Sequence, residues 1–144
     1  MSNIQIAVAT FKEGFSCSQA VLSTCAPQLG LDRETALRVA GVFGGGMAHM
    51  GLTCGAVSGT LMVIGLRHGQ TRAEDQQAKE KTYVLAREFV ERFRSRNGSI
   101  TCRELLGYDI STPEGIQLIR EKGLFNSLCP KLVEDAIEIV EGLL

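Results

Sequence analysis

The chain has 144 residues, enough for one domain with a buried core of its own. Its 15 Lys and Arg nearly balance 16 Asp and Glu, so no global charge points to nucleic acid or an anionic membrane. The opening MSNIQIAVATFKEG lacks a basic start, an apolar stretch and a small-residue cleavage site, so no signal peptide is expected and a cytoplasmic location is. In a reducing compartment, five cysteines point to catalysis, redox sensing or metal binding rather than to a disulfide framework.

In chain order, Ile4, Val8, Phe11 and Phe15 recur at helical spacing until Gly14 interrupts them. A second helix is predicted from Cys17 to about Pro27, and a third, capped by Asp32, from Arg33 to Phe43, where GGG stops it. Between Val39 and Leu66 there is no charged residue, but glycines and His49 leave only Ala56 to Leu66 as an unbroken apolar helix. That is roughly half of the ~20 residues needed to span a bilayer, so a buried core helix from about Cys54 to His68 is expected, without a membrane span. The longest helix is predicted over Thr71 to Arg96, with an apolar stripe at Tyr83, Leu85, Ala86, Phe89, Val90 and Phe93. Asp75 with Lys79, and Glu88 with Arg92, are acid-first pairs one turn apart on its solvent face. Asn97-Gly98 ends it, and helices near Cys102 to Leu106, Pro113 to Lys122 and Pro130 to Leu144 complete the chain. The expectation is an all-α, single-domain multi-helix bundle spanning residues 1–144, with long loops only at the glycine segment and at 97–112.

Four cysteines fall at predicted helix starts. Ser16-Cys17-Ser18-Gln19 and Thr101-Cys102-Arg103-Glu104 fit capping boxes, Thr53 can cap a helix beginning at Cys54, and Cys129 precedes Pro130 as a cap. Free N–H groups and the helix dipole at such positions stabilise a thiolate, favouring a nucleophile or metal ligand. Cys25 lies late in a helix and stands apart. Gly55 and Gly59 share a face that admits another backbone or a ligand beside Cys54.

GFSCSQAV, then GGGMAHMGLTCGAVSG, then two later single cysteines, resembles the C_GCAxxG_C_C family of small bacterial and archaeal proteins, which carry a C…CGAxxG…C…C pattern and whose name proposes redox activity. The resemblance covers nearly the whole chain and maps the family's four cysteines onto Cys17, Cys54, Cys102 and Cys129. It implies a helical fold and thiol-dependent chemistry without a fixed substrate. No C-x-x-C-H is present, so covalent c-type haem is not expected.

Three functions follow. In thiol–disulfide exchange or electron transfer, Cys54 attacks, Cys102 or Cys129 resolves, and a redox protein or small thiol is the partner. Alternatively, Cys17, Cys54, Cys102 and Cys129 hold zinc or an iron–sulfur cluster, although metal ligands usually come as close pairs and these do not. In the third reading, the protein is a non-catalytic helical interaction protein and its cysteines are packed as small apolar groups. His49 is an acid–base or thiolate-stabilising candidate, and Arg103 can lower the Cys102 pKa or bind an anion such as glutathione. No phosphate loop, nucleophile elbow or nucleic-acid motif is present. The apolar helix after Cys54 is compatible with a homodimer.

Overall fold

A computed structural model describes residues 1–144. The chain is all-α: α1 (Asn3–Lys12), α2 (Cys17–Cys25), α3 (Arg33–Ala40), α4 (Gly55–His68), α5 (Gln76–Asn97), α6 (Cys102–Leu106), α7 (Pro113–Glu121), α8 (Leu124–Ser127) and α9 (Cys129–Leu143). Short 3-10 turns at Pro27–Leu29 and Gly41–Phe43 extend α2 and α3, which explains why the sequence pattern continues beyond both helices. No helix is long and apolar enough to cross a membrane.

The ends are set by local chemistry. At α2, Ser16 and Gln19 form the expected reciprocal box: the Gln19 N–H donates to Ser16 Oγ and the Ser16 N–H to Gln19 Oε1. Asp32 caps α3 through the Thr35 N–H. The long helix starts later than the pattern predicts. Asp75 is its N-cap, accepting from the Ala78 N–H, and is therefore not on the helix face with Lys79. The Glu88–Arg92 pair forms at 2.6 Å, and Gly98, at φ +86°, closes the helix with its N–H on the Arg94 carbonyl. Of the predicted stripe, Phe89 and Phe93 are fully buried while Tyr83 faces solvent. The single turn α8 runs directly into α9 and has no signature of its own in the sequence.

The helices pack into one compact body with α2 at its centre, touched by α1, α3, α4 and α9. Seven of its nine residues are buried, from Ser18 and Ala20 to Cys25. Around it, Val57 and Ile64 of α4, Phe89 and Phe93 of α5, and Val133, Ile137 and Val140 of α9 make the main core. A smaller core of Cys102, Leu106, Ile110, Ile119 and Cys129 lies beside it, and Cys17 packs against both.

The tightest crossing is α2 on α4. A Cβ on Gly55 would stand 2.8 Å from the Ser18 nitrogen, and one on Gly59 2.9 Å from the Ser18 carbonyl oxygen. Backbone cannot yield as a flexible side chain can, so only glycine allows this separation. Ser18 is buried there and donates its hydroxyl to the Ala40 carbonyl at 2.9 Å, tying α3 to the same crossing. Gly59→Ala is expected to lower stability by about 1–3 kcal/mol despite alanine's better helix propensity. Gly65, on the same helix, has open space where a Cβ would go. Gly65→Ala should instead raise stability by about 0.5–1 kcal/mol. Urea unfolding of both variants checks the pair.

Candidate functional site

Cys17 and Cys102 are the first residues of α2 and α6, as the capping argument expects. The other two exchange roles: Cys54 is itself the N-cap of α4, and Cys129 is the first residue of α9, with Leu128 before it. Thr53 does not cap. It pairs backbone-to-backbone with Thr101 in a single antiparallel bridge, and the Thr101 side chain makes no capping bond either. In this pairing the Cys54 N–H donates to the Ile100 carbonyl at 2.8 Å, and the Cys102 N–H to the Leu52 carbonyl at 2.6 Å. Two cysteines distant in sequence are thus held on neighbouring backbone segments.

The four helix starts meet at one cavity of about 380 Å³, lined by all four of these sulfur-bearing residues. Phe11, Phe15, Leu105, Leu106 and Phe125 supply apolar wall, Ser16 and Gln19 a polar edge, and His49 joins from the glycine loop. Cys25 is elsewhere: it belongs to the main core and borders a separate cleft with Asn3, Gln28 and Glu141. All five cysteines are free thiols. No three His, Cys, Asp or Glu side chains are arranged around a point that could hold a metal ion.

Electrostatics distinguish the thiols. Burial pushes Cys54, only 4 % exposed, up to about 12. The Ala56 and Val57 amides oppose that rise without closing a full capping bond, while the charges of Cys102 and Cys129 add to it. Cys102 is raised to about 11 by burial and then by Cys129, against a lowering by Arg103. The Arg103 guanidinium does not enter the cavity; it bonds the Met50 carbonyl at 3.2 Å and Asp109 at 3.3 Å. Cys17 and Cys129 are partners. Hydrogen bonding from the Cys17 thiol lowers the Cys129 pKa against burial, and the same contact is the largest cause of the rise at Cys17. Cys129 therefore ionises first, and Cys17 keeps its proton.

The loop over the cavity is strained. Gly45, Gly46, Met47, Ala48 and His49 all have φ between +49° and +68°, a full left-handed turn of which three residues are not glycine. Such residues cost about 1–2 kcal/mol each. Carbonyls hold the turn closed: the Ala48 N–H donates to Val42 at 2.8 Å, His49 to Gly44 at 3.2 Å and Leu52 to Gly46 at 2.9 Å. Gly46 lies so close to Cys102 that a Cβ there would be 2.7 Å from the cysteine's own. GGG, which reads only as a helix stop in the sequence, is thus part of the site. The sequence gives no sign of it beyond the density of glycine.

Fold and site together define an all-helical protein with four thiols gathered at helix starts around one cavity. A family model described as "Putative redox-active protein (C_GCAxxG_C_C)" matches residues 15–143, and the chain belongs to this family. No curated protein and no solved structure matches the chain.

If the Cys17 thiol sets the acidity of Cys129, Cys17→Ala should move the pH midpoint of Cys129 alkylation upward. Cys17→Ser, which keeps a donor, should leave it near its wild-type position. Rates of iodoacetamide labelling against pH, read residue by residue by peptide mass, test this. In wild type, Cys129 should label at the lowest pH, and Cys54, Cys102 and Cys25 only under strongly alkaline conditions.

Proposed function

We propose that the protein is a thiol redox protein in which Cys129 and Cys17 are the reacting couple and Cys54 and Cys102 a second dithiol in the same cavity. The observation that carries this reading is the lowered pKa of Cys129 beside a thiol that donates to it. Sequence reasoning centred the attack on Cys54; the direction of the shifts favours Cys129, because Cys54 is deeply desolvated and its capping amides recover only part of that cost.

In the forward direction, the Cys129 thiolate attacks one sulfur of a partner disulfide. A bond forms between them, the partner's S–S bond breaks, and its second sulfur leaves as a thiolate. Cys17 then loses its proton to solvent or to His49, which lines the cavity. Its thiolate displaces the remaining partner sulfur from Cys129, leaving a Cys17–Cys129 disulfide. The protein dithiol has been oxidised and the partner reduced to two thiols. Further exchange within the cavity can pass the bridge to Cys54 and Cys102. A partner disulfide from a small thiol or a redox protein satisfies this chemistry.

A second reading is favoured by one observation: four soft ligands line a single cavity. Zinc or an iron–sulfur cluster held by Cys17, Cys54, Cys102 and Cys129 would fit that donor chemistry, but the thiols would have to move to share a centre. Native mass of anaerobically purified protein separates the two. The thiol reading expects the bare chain, which loses two hydrogens on mild oxidation, maps to a Cys17–Cys129 bridge and recovers with reductant. Cys129→Ser should abolish that bridge and Cys25→Ser leave it unchanged. Added mass from zinc, or from iron with sulfide, would overturn the thiol reading in favour of the second.

A further inference from the structure

Gly44, Gly45 and Gly46 all line the thiol cavity, and none of their three N–H groups has an acceptor in the protein. Gly44 and Gly46 are buried. Their carbonyls are all used, by the N–H groups of His49, Gly51 and Leu52, so the turn turns its acceptors inward and leaves its donors over. Unpaired donors at the buried Gly44 and Gly46 are unusual, since buried backbone N–H groups are almost always satisfied. The cavity is of a size that holds small organic molecules. No Lys, Arg, Asp or Glu borders it, so nothing there neutralises the carboxylates of a charged peptide thiol. Its walls are aromatic and aliphatic.

We propose that these three amides are a hydrogen-bond cradle for the oxygen of an uncharged, largely apolar carbonyl compound of the quinone class, bound in the thiol cavity as an electron partner. The proposal rests on the thiol reading above for its redox step. A quinone carbonyl gains negative charge on oxygen as it takes up electrons, and fixed amide donors stabilise charge developing at that position. The step balances. Cys17 and Cys129 give up two electrons and two protons and form one S–S bond, while the two carbonyls of the quinone become the two hydroxyls of a hydroquinone.

The probe is duroquinone (tetramethyl-1,4-benzoquinone), whose ring positions are all blocked, so thiols cannot add to the ring. Titrated into the full-length Cys129→Ser variant, where the couple cannot turn over, it should shift the Gly44, Gly45 and Gly46 amide protons and leave those of Gly14, Gly30 and Gly98 unmoved. With reduced wild type under anaerobic conditions, one hydroquinone should form per Cys17–Cys129 disulfide. Leu105→Trp, which narrows the cavity, should weaken binding about tenfold or more, and in wild type a general thiol oxidant should form the bridge. Unmoved cradle amides overturn the proposal, and a bridge still formed by the general oxidant then leaves the thiol reading intact. Shifted amides with no hydroquinone and no bridge by either oxidant keep the cradle and overturn its redox role together with the thiol reading. Should Leu105→Trp fail to fold, the amide shifts still decide.

Discussion

The arrangement depends on how closely two backbones approach. α2 and α4 cross at a separation that Gly55 and Gly59 alone permit, with Ser18 as the point of contact. Because Cys17 precedes Ser18 and Cys54 precedes Gly55, the same crossing that seals the core sets two of the four cysteines side by side at its end. A Cβ on Gly55 would lie 3.3 Å from that of Cys17. The other two arrive by different routes: the Thr53–Thr101 pairing draws Cys102 alongside Cys54, and α8 delivers Cys129 at the start of α9. Packing of the main and minor cores leaves the cavity at their junction, so the site and the fold share one set of contacts.

Two opposing effects act on every thiol there, and their sizes decide the result. A helix start favours a charge by about 0.3–1 kcal/mol, up to ~2 in partly buried geometry. The net rise at Cys54, from 9.0 to about 12 with burial as its largest cause, corresponds to about 4 kcal/mol at about 1.4 kcal/mol per pKa unit. Burial therefore outweighs the dipole at Cys54, and at Cys102 as well. The Ala56 and Val57 amides do not reverse the balance at Cys54, whereas the Cys17 thiol does at Cys129. A helix N-terminus is thus a weaker guide to thiol acidity than the identity of the nearest donor, and that donor is fixed by tertiary contact.

This explains what was legible in the sequence. Helix starts at Ser16, Asp32 and Pro113, and the helix end at Gly98, are written in local chemistry that needs nothing distant, and the structure follows them. The grouping of Cys17, Cys54, Cys102 and Cys129 around one cavity, and the separation of Cys25, agree with four shared helix starts and one outlier. The roles of Thr53 and Thr101 were not legible, because a bridge between residues so far apart competes with capping and leaves no periodic trace. Nor was the central place of α2: CSQAVLSTC is no more apolar than α1 or α9, and its burial reflects the four helices that close on it.

The left-handed turn is the one place where local preference is overruled outright. Met47, Ala48 and His49 hold positive φ in a segment that nothing in their side chains favours, at a cost that surrounding carbonyl contacts must offset. A loop selected only to connect α3 to α4 would have no reason to keep that strain. What the turn accomplishes is specific: it fits backbone against Cys102 where no side chain has room, brings His49 to the cavity, and leaves three amide donors unpaired beside four sulfurs. The glycine loop thus places backbone polarity beside the four sulfurs. Strain in the loop is therefore part of how the site is built.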